Sequence, residues 1–105
     1  MDNYAIKYKN KKGSLNIIFS GQLTINNVDK IFDSLKSNIK NNIKSMNILT
    51  EKVENIDLTF IQLIYSIIAS SKRDGFEVNT SIIVPEDLKL LIINAGFSGI
   101  LSDNK

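Results

Sequence analysis

The chain has 105 residues, of which 43% are hydrophobic and 23% charged, with a net charge of +2. That length and balance suit one domain with its own core and argue against disorder. Neither cysteine nor histidine is present. This excludes disulfide scaffolds, thiolate metal sites and cysteine nucleophiles, and removes the commonest general base and metal ligand.

Tyr4, Ile6 and Tyr8 alternate with Ala5, Lys7 and Lys9, the period of a half-buried strand over residues 4–9. Asn10-Lys11-Lys12-Gly13 is a turn, with Gly13 free to take positive φ. Leu15, Ile17 and Phe19 then alternate with Asn16, Ile18 and Ser20 to complete a hairpin, and Gly21 is expected to close it. Asn26 or Asn27 caps a helix in which Val28, Ile31, Phe32, Leu35 and Ile39 recur at helical spacing. Asp29, Lys30, Asp33, Lys36 and Lys40 cover its wet side.

A weaker strand over 44–50 centres on Met46, Ile48 and Leu49, followed by a loop over 51–56. The pattern predicts a second helix from about residue 59 to 74, ended by Gly75, with Lys72 and Arg73 suited to its negative end. Residues 78–84 form a strand that finishes in Ile82-Ile83-Val84. Pro85 opens a third helix at its first position, with Glu86 and Asp87 favourable there. Leu88, Leu91, Ile92 and Ala95 form its buried stripe and Gly96 caps it. Leu90 and Ile93 lie opposite that stripe, where either the tail over 97–101 covers them or a second copy does, as a homodimer. The order β-β-α-β-α-β-α is that of an α/β fold: a small mixed four- to five-stranded sheet with helices packed mainly on one face. Residues 1–105 are expected to make one domain.

Charge is unevenly spread. Residues 1–52 carry nine lysines and four acids, and residues 53–105 four basic groups and seven acids. Arg73 is the single arginine, and lysine is poorly suited to bidentate phosphate or base recognition, so nucleic-acid binding is not expected. No apolar run approaches the roughly 18 residues of a membrane span, and the N-terminus lacks a signal-peptide pattern. A cytoplasmic protein without direct membrane insertion is therefore expected. The acids are scattered, with no base–nucleophile pair and no phosphate-cradling glycine loop, so we expect no enzyme, cofactor or metal.

The stretch from Val53 to Leu63 stands apart. Projected at helical spacing, Phe60, Ile61, Ile64, Ile67 and Ile68 fall on one side and should be core. The other side holds Thr59, Gln62, Ser66, Ser70 and Arg73 together with Leu58, Tyr65 and Ala69. A face that mixes apolar with uncharged polar groups suits protein docking, although scattered surface apolar residues are also ordinary. Thr59-Phe60-Ile61-Gln62 has capping-box spacing, so Thr59 is expected to cap the helix, with Asp57 as the alternative cap. A hydroxyl at a helix N-terminus is also a position where a phosphate would be stabilised.

With these features in place the chain resembles the STAS domain family, which includes bacterial anti-sigma factor antagonists. The residues that carry the resemblance are Gly21-Gln22-Leu23, Val53 with Ile56-Asp57-Leu58-Thr59, the long apolar helix behind them, and Ala95-Gly96-Phe97. It spans nearly the whole chain, in order and at family spacing. The resemblance implies a non-enzymatic switch or adaptor in signal transduction and transcription regulation. In antagonist members, an acid-Ser-Ser/Thr-Gly segment opens the helix and a partner kinase phosphorylates the hydroxyl. Asp57 matches the acid, and Thr59 the acceptor.

Leu58 and Phe60 depart from that pattern, replacing a small hydroxyl residue and the usual glycine. Thr24 and Leu49 stand where acids are common, and residues 97–105 leave little length for the family's closing helix. Leu58 and Phe60 look closer to modules attached to chemotaxis-type signalling or to lipid-transport adaptors. The resemblance thus implies one of two partners for Asp57, Leu58, Thr59, Gln62, Tyr65, Ser66 and Ala69. One is an anti-sigma-type serine/threonine kinase that makes the chain a phosphoprotein. The other is a signalling or transporter subunit bound constitutively.

Overall fold

The computed structural model describes residues 3–39, 43–97 and 99. Along them run β1 (Tyr4–Lys11), β2 (Ser14–Leu23), α1 (Val28–Asn38), β3 (Ser45–Ile56), α2 (Leu58–Arg73), β4 (Glu77–Ser81) and α3 (Glu86–Asn94). Lys40 and the tail past Phe97, Gly99 apart, lie outside the described residues, so the expectation that the tail covers α3 does too.

Lys12 and Gly13 both take left-handed backbone, with φ of 52° and 88°. That is the two-residue turn whose twist matches flanking strands, and it sets β1 antiparallel to β2, Lys11 opposite Ser14. The other two pairs, β2 with β3 and β3 with β4, are parallel, so α1 and α2 serve as crossovers. The described sheet has four strands in the order β1-β2-β3-β4 and is mixed, as expected.

Its two faces differ. Leu15, Ile17 and Phe19 of β2 and Met46 and Ile48 of β3 point into one core with Ile31 and Leu35 of α1 and Phe60, Ile61, Ile64 and Ile68 of α2. Phe19 and Phe60 meet edge to face, ring centres 5.1 Å apart. On the opposite face a ladder of amides crosses three strands: Asn47 Nδ2 donates to Asn16 Oδ1 at 2.9 Å and Asn79 Nδ2 to Asn47 Oδ1 at 3.3 Å.

Several expectations are corrected. Gly21 does not close β2, which runs on to Leu23. Its φ of 87° lets Asn3 pass so close that a Cβ there would lie 2.5 Å from the Asn3 carbonyl oxygen. Residues 51–56 are strand rather than loop, because they continue β3 along β2 through two register slips, with Lys52 left-handed at φ 48°. In contrast, β4 ends at Ser81, short of the expected Val84, because the Ile83 N–H turns to Thr50 Oγ1 at 3.2 Å. Phe32 is exposed beneath Lys36 Nζ, 5.2 Å from its ring centre, since α1 buries only Ile31 and Leu35. In α3 only Ile92 of the expected stripe is buried; Leu91 and Ala95 face outward. Asn27 holds the cap position of α1, but its side chain does not cap. It donates to Asn3 Oδ1 and the Gln22 carbonyl oxygen, at 2.9 and 2.8 Å.

Candidate functional site

The end of β3 delivers the chain directly into α2, and Asp57 makes the corner. Its backbone is extended (φ −130°, ψ 176°), and its Oδ1 accepts the Phe60 N–H at 3.1 Å. A carboxylate placed there satisfies one of the four free N–H groups of the first turn and meets the positive end of the helix dipole. Its second oxygen accepts the N–H of Ile25 at 2.9 Å, and its own N–H donates to the Leu23 carbonyl oxygen at 3.2 Å. Asp57 therefore ties together the exit of β2, the loop before α1 and the start of α2. The cap is Asp57, not Thr59. The capping-box expectation fails because the helix begins at Leu58, one residue before Thr59.

Freed from capping, the Thr59 hydroxyl makes no hydrogen bond among the described residues and lies half-buried in the first turn. Leu58 beside it is half-buried too, packed against the core. Down the outer side of α2, Gln62, Tyr65, Ser66 and Ala69 are all exposed. Tyr65 keeps 44% of its surface open while its ring leans on Phe97, centres 4.8 Å apart. Beyond it, Arg73 Nη2 donates to Ser70 Oγ at 3.4 Å. The structure thus gathers six of the seven predicted contact residues along α2, with Asp57 at the corner before it. No charged side chain lies on this face between Asp57 and Lys72. Sequence reasoning missed Ile25, 65% exposed at the residue that Asp57 clamps. The available signal was an isoleucine set in the polar turn between Thr24 and Asn26.

Among the described residues, no group of three acids could hold a metal ion, and no helix is long and apolar enough to cross a membrane.

No protein-family model matches the chain, and no curated protein matches it in sequence. Solved structures do resemble it. The anti-sigma factor antagonist SpoIIAA in its unphosphorylated form is similar at a TM-score of 0.73 and 13% identity, over 96% of this chain and 89% of that one. The Bacillus cell fate determinant SpoIIAA in the phosphorylated form is similar at 0.69 and 12%, over 96% and 92%. An anti-sigma factor antagonist STAS domain from Rhodobacter sphaeroides is similar at 0.58 and 15%, over 75% and 84%. The chain has the STAS-domain fold.

Proposed function

We propose that residues 1–105 form a single non-enzymatic regulatory module of the anti-sigma factor antagonist kind, working in the bacterial cytoplasm. It docks a protein partner through the N-terminal part of α2 and is switched by phosphorylation of Thr59. The observation that carries the reading is the division of labour at the start of α2. Asp57 holds the helix end, and the neighbouring hydroxyl makes no hydrogen bond among the described residues, on a face without charged side chains. The fold is shared with an antagonist solved in both phosphorylation forms, which supports the same reading.

Phosphate on Thr59 would add about −1.5 to −2 charges to that neutral face. Free N–H groups in the first turn would stabilise it, and the Asp57 carboxylate would repel it. A partner surface matched to Leu58, Gln62, Tyr65, Ser66 and Ala69 would then meet a buried, unpaired charge.

A constitutive adaptor of a chemotaxis-type signalling complex or a lipid-transport ATPase is the second reading. It is favoured by Thr59 being half-buried and by Phe60 being locked in the core where antagonists carry glycine. Co-expression with anti-sigma-type serine/threonine kinases, followed by intact-mass analysis, separates the two. A single added phosphate mapped to Thr59, with Thr59→Glu abolishing capture of that kinase, is the expected result. If Tyr65→Ala abolishes capture while Thr59→Glu leaves it intact, docking stands and the switch is lost.

A further inference from the structure

The strands of this sheet do not end together. β4 leaves the ladder at Ser81, opposite Leu49, while β3 continues along β2 to Ile56. Beyond Leu49 the regular β3–β4 register stops; Ile82 makes one isolated β-bridge and the Ile83 N–H reaches Thr50 Oγ1 at 3.2 Å before the chain departs. The departing chain passes through Pro85 into α3, and a cleft of about 670 Å³ opens between the two. Residues 50–56 form one wall, and Ile83, Val84, Pro85, Leu88 and Leu91 line the other. Ile83 and Leu91 each expose 57% of their surface. Glu51, Glu54 and Asp87 stand around the cleft against one cation, Lys52. Glu51 spends part of its charge on an exposed pair with Lys7 at 3.4 Å, an arrangement worth little in water.

Each part constrains the occupant. An open strand edge presents backbone N–H and C=O groups in a row, which an extended chain matches. The register slips give β3 more residues than β2 over the same span, so part of its backbone lacks a β2 partner as well. The apolar wall takes side chains from alternate positions, and the acidic lip takes cations.

We infer that this cleft is a docking slot for one extended segment of a partner polypeptide, alternating apolar with lysine or arginine side chains and pairing along residues 52–56. β1 of a second copy has that alternation, in Tyr4, Ile6 and Tyr8 with Lys7 and Lys9. It is already paired on one edge with β2, so it would bring its own sheet along, whereas a single segment needs only the cleft itself. The slot lies apart from the exposed face of α2 and does not rest on the reading of Thr59.

The test is an NMR titration of the isotope-labelled full chain with a capped hexapeptide of alternating valine and lysine. Shift changes are expected at residues 52–56, Leu88 and Leu91, with slowed amide exchange along β3. Methylating alternate peptide nitrogens, or exchanging lysine for glutamate, should weaken binding about tenfold or more. Leu91→Lys and Glu54→Lys, both at exposed positions, should do likewise while leaving the rest of the spectrum in place. The inference is overturned by an absence of shifts at millimolar peptide, by shifts centred elsewhere, or by an N-methylated peptide that binds equally well. Concentration-dependent shifts at the same amides without peptide would also overturn it, assigning the slot to a second copy.

Discussion

α2 and α3 are both rich in isoleucine and leucine, yet they meet very different fates. α2 buries Phe60, Ile61 and Ile64 in the same core as Phe19, Ile17 and Ile48. α3 follows the short strand β4 at the sheet's edge and seals only Ile92, leaving Leu90, Leu91 and Ile93 exposed. Apolar content is thus not the same as burial. A side chain stabilises the fold only where neighbours cover it, and α2 buries five residues where α3 buries one. The core under α2 holds the molecule together; the edge is left with exposed apolar surface.

Truncating the centre should therefore have the largest effect. Phe60→Ala removes a fully buried ring and its edge-to-face contact with Phe19, and should cost about 3–5 kcal/mol in denaturant unfolding. A loss below about 1 kcal/mol, the scale of an ordinary surface change, would dissolve the contrast between the two helices.

Glycine sharpens the comparison next, because Gly21 and Gly96 share a φ of 87°. At Gly96 an added Cβ meets nothing within 4 Å, so Gly96→Ala should cost only the left-handed backbone penalty, about 1 kcal/mol. At Gly21 the same Cβ would lie 2.5 Å from the Asn3 carbonyl oxygen and 2.9 Å from the Tyr4 Cα. Backbone must move there, and Gly21→Ala should cost about 2 kcal/mol or more. Equal unfolding midpoints for the two variants would mean that β1 yields freely.

At the corner of α2 the contrast lies between neighbours. Asp57→Ala leaves the Phe60 and Ile25 N–H groups without their acceptors and should cost about 1–2 kcal/mol. Thr59→Ala breaks no hydrogen bond among the described residues and should stay within about 0.5 kcal/mol. The reverse ranking in thermal unfolding would restore Thr59 as the cap.

The element order was legible in the sequence because its strands and helices differ sharply in period, two against 3.6. The second half of β3 was not: Glu51, Lys52 and Glu54 interrupt any alternation, and only pairing with β2 makes that segment a strand. The ends of β2 and β4 were equally hidden, since a Thr50 side chain and a close pass by Asn3 decide them from afar. In α3 apolar residues occur nearly all round, so the pattern held no information on which of them face inward. At the candidate site the sequence named residues that the fold places at the corner and along α2, but it put the cap at Thr59; that the helix begins at Leu58, with Asp57 also held by the Ile25 N–H 32 positions away, shows only in the structure. The cleft has no sequence signature, because it exists where one strand outlasts another.

The last contrast concerns the sheet's other edge. Tyr8 of β1 reaches α1, where its phenol oxygen lies 2.7 Å from Ser34 Oγ. Burial pushes the phenol above its ordinary value of 10.0, with nearby Tyr4 adding to the rise, against the opposing pull of hydrogen bonds with Ser34 and Asn38. The neutral form is thus the one the fold prefers. Stability from this group is fully present below the unfolded phenol's pKa and is lost as pH rises through the folded one, because the unfolded chain ionises first. Tyr8→Phe should lower stability by about 0.5–1.5 kcal/mol at neutral pH, through loss of the Ser34 bond. Every other group is common to both chains, so the informative quantity is the difference between them. That gap should narrow between about pH 9 and about pH 11. A gap that stays constant would mean that β1, like α3, lies on the fold without being sealed to it.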